Sequence, residues 1–152
     1  MEKTPPESAF PEREPRVSSM LWATYQSARK LQFKRLVEHG FDDLNPALLN
    51  IMIYPHPDGA RPSDLVEKTN MTKQAVNYLL GQLEKLGYLE RRSAKRGGRR
   101  LVYLTKRGWR AVDAHRAAVL EVEKKWTGLV GENRFAQFKR VLRELSEKPL
   151  VV

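Results

Sequence analysis

Residues 91–108 read RRSAKRGGRRLVYLTKRG; eight of these eighteen are Lys or Arg and none is acidic. Charges of one sign this close together repel, and a fold gains nothing from them on its own. A polyanion relieves the repulsion. Between Tyr88 and Arg110 there are nine Lys or Arg against one acid, Glu90, so this segment carries +8 of the net +10. The rest of the chain is nearly neutral. Positive charge that is clustered rather than spread is the electrostatic footprint of a polyanion binder. An acidic membrane fits less well, because the segment lacks the pattern of an amphipathic helix.

Immediately before it lies TKQAVNYLLGQLEKL. Its apolar residues Val76, Leu79, Leu80, Leu83 and Leu86 follow the i, i+3, i+4, i+7, i+10 series of a helix seated on a core. That leaves Thr72, Lys73, Gln74, Asn77, Tyr78, Gly81, Gln82 and Lys85 outside, with no acid before Glu84. Such a face suits a DNA groove. Asn and Gln can pair with adenine N6 and N7, and Lys can reach guanine O6 and N7 or a phosphate. Lys73, Gln74, Asn77 and Tyr78 are therefore the expected base-reading residues, with Thr72 on a phosphate. Any one amide taken alone also reads as ordinary surface; the apolar series is core under either reading.

These residues need elements to hold them. Residues 1–17 contain four of the nine prolines and read as a flexible arm. A helix pattern starts at Ser18, with Leu21, Tyr25, Ala28, Leu31 and either Arg35 or Leu36 on one stripe, and runs to His39 before Gly40. Asn45 can cap a short helix that has Pro46 at its first position and ends before Pro55. PHPDG is a turn. Pro62 opens the helix PSDLVEKT, Asn70 and Met71 break it, and Thr72 caps the next. YLERR and RLVYLT are short strands flanking SAKRGG. Thr105 caps a long helix to about Leu129. Gly131 then separates a last helix carrying Phe135, Phe138, Val141, Leu142 and Leu145.

Two helices joined by a tight turn and followed by a hairpin make a winged helix-turn-helix. The expected fold class is mainly α (α+β). Residues 18–152 form one domain, with a DNA-binding lobe at 45–108 and dimerisation helices at 18–40 and 109–146. SAKRGG is the wing, placing Lys95, Arg96, Arg99 and Arg100 along a minor groove or on phosphates. Arg61, Ser63 and Lys106 flank it. Lys106 and Arg107 occupy the first turn of a helix, where the macrodipole disfavours cations by up to ~1 kcal/mol. A helix built for stability alone would carry an acid there.

Several functions are excluded or disfavoured. With no cysteine there is no disulfide, thiolate metal site or thiol redox sensor. The start lacks the apolar core of a secretory signal, and no apolar run is long enough to span a membrane. The expected location is cytoplasmic. His39, His56 and His115 lack metal-ligand spacing. There is no phosphate-binding glycine loop and no nucleophile elbow. Neither an enzyme nor a cofactor is expected. Trp22, Trp109 and Trp126 read as core or interface residues.

RPSDLVEKTNMTKQAVNYLLGQLEKLGYLERR followed by GRRLVYLTKRG resembles the MarR family of bacterial winged-helix regulators. The resemblance implies a homodimer with intertwined terminal helices, a palindromic double-stranded DNA operator, and repression. It also implies release by a small aromatic or phenolic ligand bound between the dimerisation helices and the winged lobe; Trp22, Tyr25, Tyr54, His56 and His115 are the candidates to line that pocket. One departure stands out. The family's wing commonly carries an Asp a few residues before the arginine that enters the groove, and here no acid lies between Arg91 and Arg110. Which of Arg96, Arg99 and Arg100 enters the minor groove is left open. Apolar stripes outside the winged unit independently favour a dimer, since large exposed apolar patches are uncommon in monomers. The alternative function is a non-specific architectural or nucleoid-associated DNA binder, which shares the charge but does not need the amide-rich helix face.

Overall fold

The computed structural model describes residues 15–55, 57–93, 100–148 and 150. The chain forms α1 (Val17–Glu38), α2 (Pro46–Met52), α3 (Pro62–Thr69), α4 (Lys73–Lys85), β1 (Leu89–Ser93), β2 (Arg100–Leu104), α5 (Lys106–Val130) and α6 (Glu132–Glu147). Each boundary has a local cause. The Asn45 side chain accepts from Leu48 N at 2.9 Å and Pro46 starts α2. Asn70 turns left-handed at φ 55° and stops α3. Thr72 Oγ1 accepts from Ala75 N at 3.2 Å, and Thr105 Oγ1 accepts from Gly108 N at 3.1 Å. These bonds satisfy amides that a helix start otherwise leaves unpaired.

The first helix begins one residue earlier than the sequence pattern suggests, so Val17 belongs to α1 rather than to the arm. Of that arm, residues 1–14 lie outside the described residues. The expected stripe of α1 is only partly buried. Ala28 and Leu36 are covered, Leu31 is half-buried, and Leu21 and Tyr25 face outward.

β1 and β2 pair antiparallel, with Leu89 opposite Leu104 and Ser93 opposite Arg100. Ala60 adds a third, one-residue strand that the sequence pattern does not reveal: it exchanges both backbone bonds with Val102, each at 2.9 Å. Gly59 makes this approach possible. Its φ is +88°, and a Cβ there would lie 2.8 Å from Tyr103 Cζ.

One core unites the lobe. Leu48, Leu49, Ile51 and Met52 of α2, Leu65 of α3, Val76, Leu80 and Leu83 of α4, and Leu89 and Val102 of the hairpin are all buried in it. So are Leu36, Phe41, Ala111 and Val112. The core therefore runs through both expected lobe boundaries, at 45 and at 108, because α1 and the first turns of α5 complete it. Beyond the lobe, α1 packs along α5. Arg35 grips the Glu121 carboxylate with Nε and Nη2, each at 2.7 Å, so Arg35 and Leu36 both face inward structure. α6 folds back onto α5 through Phe135 against Trp126, with ring centroids 6.4 Å apart, and through Lys139 on Glu123 at 2.8 Å. Among the described residues no helix is long and apolar enough to cross a membrane.

Candidate nucleic-acid interface

The helix α4 is divided by its own periodicity. Val76, Leu79, Leu80 and Leu83 seat it on the core. Thr72, Lys73, Gln74, Tyr78 and Lys85 are exposed, while Asn77 and Gln82 are half-buried. Thr72 uses an oxygen lone pair on the cap, which leaves its hydroxyl proton as a donor. Asn77 sits deeper because it faces α3. Together with Lys73 and Ser63 it lines a cleft of ≈ 210 Å³ whose floor is Pro62, Val66 and Val76. The structure thus brings Ser63 and two expected base readers to one place. Arg61 stands exposed at the N-cap of α3. Gln82, which sequence reasoning leaves out of the site, donates its amide N–H to Tyr78 Oη at 2.8 Å. Its i, i+4 spacing from Tyr78 on the outer face is the available signal.

The hairpin sorts its arginines by the pleat, because alternate residues of a strand face opposite sides. Leu89, Arg91, Val102 and Leu104 share the side of the core. Arg91 accordingly reaches back to α4, its Nε 3.0 Å from Glu84 Oε2. That nitrogen is buried without an aligned hydrogen bond, so the contact is chiefly coulombic. Glu90, Arg92, Leu101 and Tyr103 share the other side. There Arg92 is ion-paired with Glu90 and lies over the Tyr103 ring, 5.2 Å from its centroid. Arg100 and Lys106 are exposed. Lys95, Arg96 and Arg99 lie outside the described residues.

The reading of Arg107 needs correction. Its first-turn position suggests a cation placed there for a polyanion, yet its guanidinium, although exposed, is engaged as a structural clamp. It donates to Asp43 Oδ2 at 2.7 Å, to Tyr88 Oη at 3.1 Å and to the Leu86 carbonyl at 3.1 Å. It also lies 4.5 Å from the centroid of the Tyr88 ring. The Leu86 carbonyl closes α4, so a cation on it is favourable for that helix dipole and offsets the unfavourable end of α5. Tyr88 in turn donates to Asp43. Burial and the neighbouring carboxylate push its phenol up to about 12, which keeps it a donor. The clamp ties the α1–α2 turn, the end of α4 and the start of α5 into one joint.

The five pocket candidates do not meet in one cavity among the described residues. Trp22 and Tyr25 stack on each other at 6.2 Å and are both exposed. Tyr25 lines a cleft of ≈ 380 Å³ with Leu21, Ala28, Val122, Trp126 and Phe138. His115 lines another, of ≈ 390 Å³, with Ile53, Val112, Arg116, Val119 and Leu120. Tyr54 packs half-buried against the lobe core, under Lys68 at 6.0 Å. His56 lies outside the described residues. Burial first, and the Arg29 charge second, hold the His115 imidazole below its ordinary pKa. No group of His, Asp or Glu among the described residues is placed to hold a metal ion.

Comparison with known proteins shows what these features resemble. Residues 47–100 match the MarR family model. A point mutant of S. aureus MepR has 20% sequence identity, with a TM-score of 0.66 over 86% of this chain and 96% of that one. A second MepR mutant, bound to oligodeoxyribonucleotide, has 21% identity and a TM-score of 0.60 over 86% and 96%. The M. tuberculosis MarR family protein Rv2887, in complex with salicylic acid, has 22% identity and a TM-score of 0.62, again over 86% and 96%. No curated protein matches by sequence. The structural likeness is one of fold and spans the long helices as well as the lobe, while the sequence match runs from α2 through β1 and reaches only the first residue of β2. The match over residues 47–100 and the shared fold make the chain similar to the MarR family of winged-helix transcription regulators.

Proposed function

We propose that this chain is a homodimeric, sequence-specific reader of double-stranded DNA, which represses transcription at a palindromic operator and is released by a small aromatic ligand. The observation that carries the proposal is the outer face of α4. Lys73, Gln74 and Tyr78 are exposed on a helix whose opposite side is fully seated, with Asn77 beside them. Charge alone would serve a non-specific binder; amides and a phenol at the helix start are what base edges require. The base readers are Lys73, Gln74, Asn77 and Tyr78. Thr72, Arg61, Ser63 and Lys106 hold the backbone, and Lys95, Arg96, Arg99 and Arg100 lie along the minor groove or on phosphates.

Exposed apolar side chains support the dimer. Val17, Met20 and Trp22 of α1, Leu129 of α5, and Val141 and Leu145 of α6 all lie open to solvent. None of them belongs to the lobe core. A two-fold axis through them sets the recognition helices one DNA turn, ~34 Å, apart or a multiple of it. Ligand release is supported by relatives: S. aureus MepR was solved with ethidium bromide and Rv2887 with salicylic acid. Trp22, Tyr25, Tyr54, His56 and His115 are the residues assigned to it, with Tyr25 and His115 already lining clefts.

Selection of binding sites from a randomised duplex pool, near physiological salt, tests the reading. An enriched inverted repeat is expected. Binding that enriches no sequence and fades uniformly as salt rises would replace it with the architectural alternative.

A further inference from the structure

Tyr78 is an exposed aromatic side chain on the face of α4 that the proposed function assigns to DNA, at 66%. A phenol has one proton and two oxygen lone pairs. Here the Gln82 amide N–H fills one lone pair at 2.8 Å, so the phenol proton is not used in that bond. It is left available to another acceptor. Accepting a bond also polarises the phenol and makes it a better donor. Gln82 keeps its amide oxygen as an acceptor. The two side chains together therefore offer a donor and an acceptor side by side, one helical turn beyond Gln74 and Lys73. They carry no formal charge, and the bond limits the rotation of a side chain that solvent would otherwise leave free.

Base edges in the major groove distinguish such a pair. Adenine presents an acceptor, N7, next to a donor, N6; guanine presents two acceptors, N7 and O6. We propose that Tyr78 and Gln82 act as one reading unit, in which Gln82 orients the phenol so that the pair favours adenine over guanine; this rests on the DNA-reading role of α4. Gln82 is then a specificity-determining residue, and its i, i+4 bond to Tyr78 serves recognition as well as the helix.

The test is a double-mutant cycle in the full chain: Tyr78→Phe, Gln82→Met and both together, on the selected duplex and on random duplex. Phe removes the phenol oxygen and Met removes the amide, each at nearly constant volume. Each single variant is expected to weaken cognate binding ~10-fold, the value of one good base contact. The double variant loses no more than either single one, because the two act as a unit. Random-duplex affinity, the salt slope and the melting temperature stay at wild-type values, since neither change alters charge or the core. Replacing A·T by G·C at each half-site position identifies the base pair whose preference the variants abolish, and that pair is A·T. Additive losses, no loss from Gln82→Met, or a G·C preference at that position would overturn the unit while Asn77 and Gln74 still discriminate. Absence of any selected sequence with the wild-type chain would overturn the DNA-reading role itself, and the unit with it.

Discussion

Gly108 sits where the hairpin, the end of α4 and the start of α5 meet, and its replacement by alanine tests that joint. A Cβ at this position lies 2.2 Å from the Tyr88 carbonyl oxygen and 2.9 Å from Leu104 Cδ2. The carbonyl is main chain and accepts from Thr105 N at 3.0 Å, so it cannot swing aside. An unstrained carbon–oxygen contact is ~3.3 Å or longer, which requires the first turn of α5 to withdraw by roughly 1 Å. Overpacking of this kind costs ~1–3 kcal/mol. Loss of the Thr105–Tyr88 bond adds ~1 kcal/mol. Alanine returns ~1 kcal/mol through its better helix propensity. The net destabilisation is ~1–3 kcal/mol, which lowers Tm by roughly 3–10 °C in a chain of this size. Gly128→Ala is the control in the same helix: a Cβ there meets nothing within 4 Å, so Tm stays level or rises. Both variants are melted at one protein concentration, because assembly makes Tm concentration-dependent. Equal melting temperatures for Gly108→Ala and Gly128→Ala would refute the reasoning.

On the DNA face, Asn77→Ala or Gln74→Ala is expected to cost ~1–3 kcal/mol on the selected site and to relax discrimination at one position; equal losses on cognate and random duplex, read by fluorescence anisotropy, would contradict base reading. Arg100 and Arg107 separate two uses of positive charge. Arg100→Met weakens all DNA and shallows the dependence of log K on log salt by ~0.9 for each phosphate no longer neutralised. Arg107→Met lowers Tm, because Leu86, Tyr88 and Asp43 lose their shared donor, and leaves that slope as it was; the same slope change in both variants would show the clamp to be wrong. His115 gives a pH dependence of definite sign. Its folded pKa lies below the unfolded value of 6.5, so the unfolded chain takes up the proton first and stability falls as pH drops through that value. Denaturant midpoints one unit above and one unit below it should diverge in the wild type and draw together in His115→Gln; a wild-type-sized difference in that variant would remove His115 as the cause.

What the sequence makes legible is what short-range chemistry decides. Asn45, Thr72 and Thr105 cap helices through an amide three residues ahead, so spacing alone locates three helix starts. The four inward residues of α4 follow from one period, and the two strands from their alternation and the glycines between them. Partners distant in the chain are not legible. Ala60 joins the sheet only because Gly59 lets the Tyr103 ring approach, 44 residues later in sequence. Gln82 stands on the predicted outer face, but its importance depends on its amide reaching Tyr78 Oη one turn back along the helix.

The basic hairpin shows why a charge count overstates an interface. Nine cations between Tyr88 and Arg110 read as one uniform patch in the sequence. Folding divides them. Arg91 is held by Glu84, Arg92 by Glu90 and Arg107 by Asp43, so three acids, two of them from outside the segment, offset part of the charge in the free protein. Arg100 and Lys106 remain exposed with no ion pair among the described residues. An arginine already paired contributes less to long-range attraction than a solvated one, but gives up less side-chain freedom when it meets a phosphate. The two classes therefore act at different stages. On the proposed function, unpaired cations such as Arg100 and Lys106 would draw DNA in and set the salt dependence, whereas Arg91, paired with Glu84, ties the hairpin to α4 and so would help Gln74, Asn77 and Tyr78 arrive at the bases together.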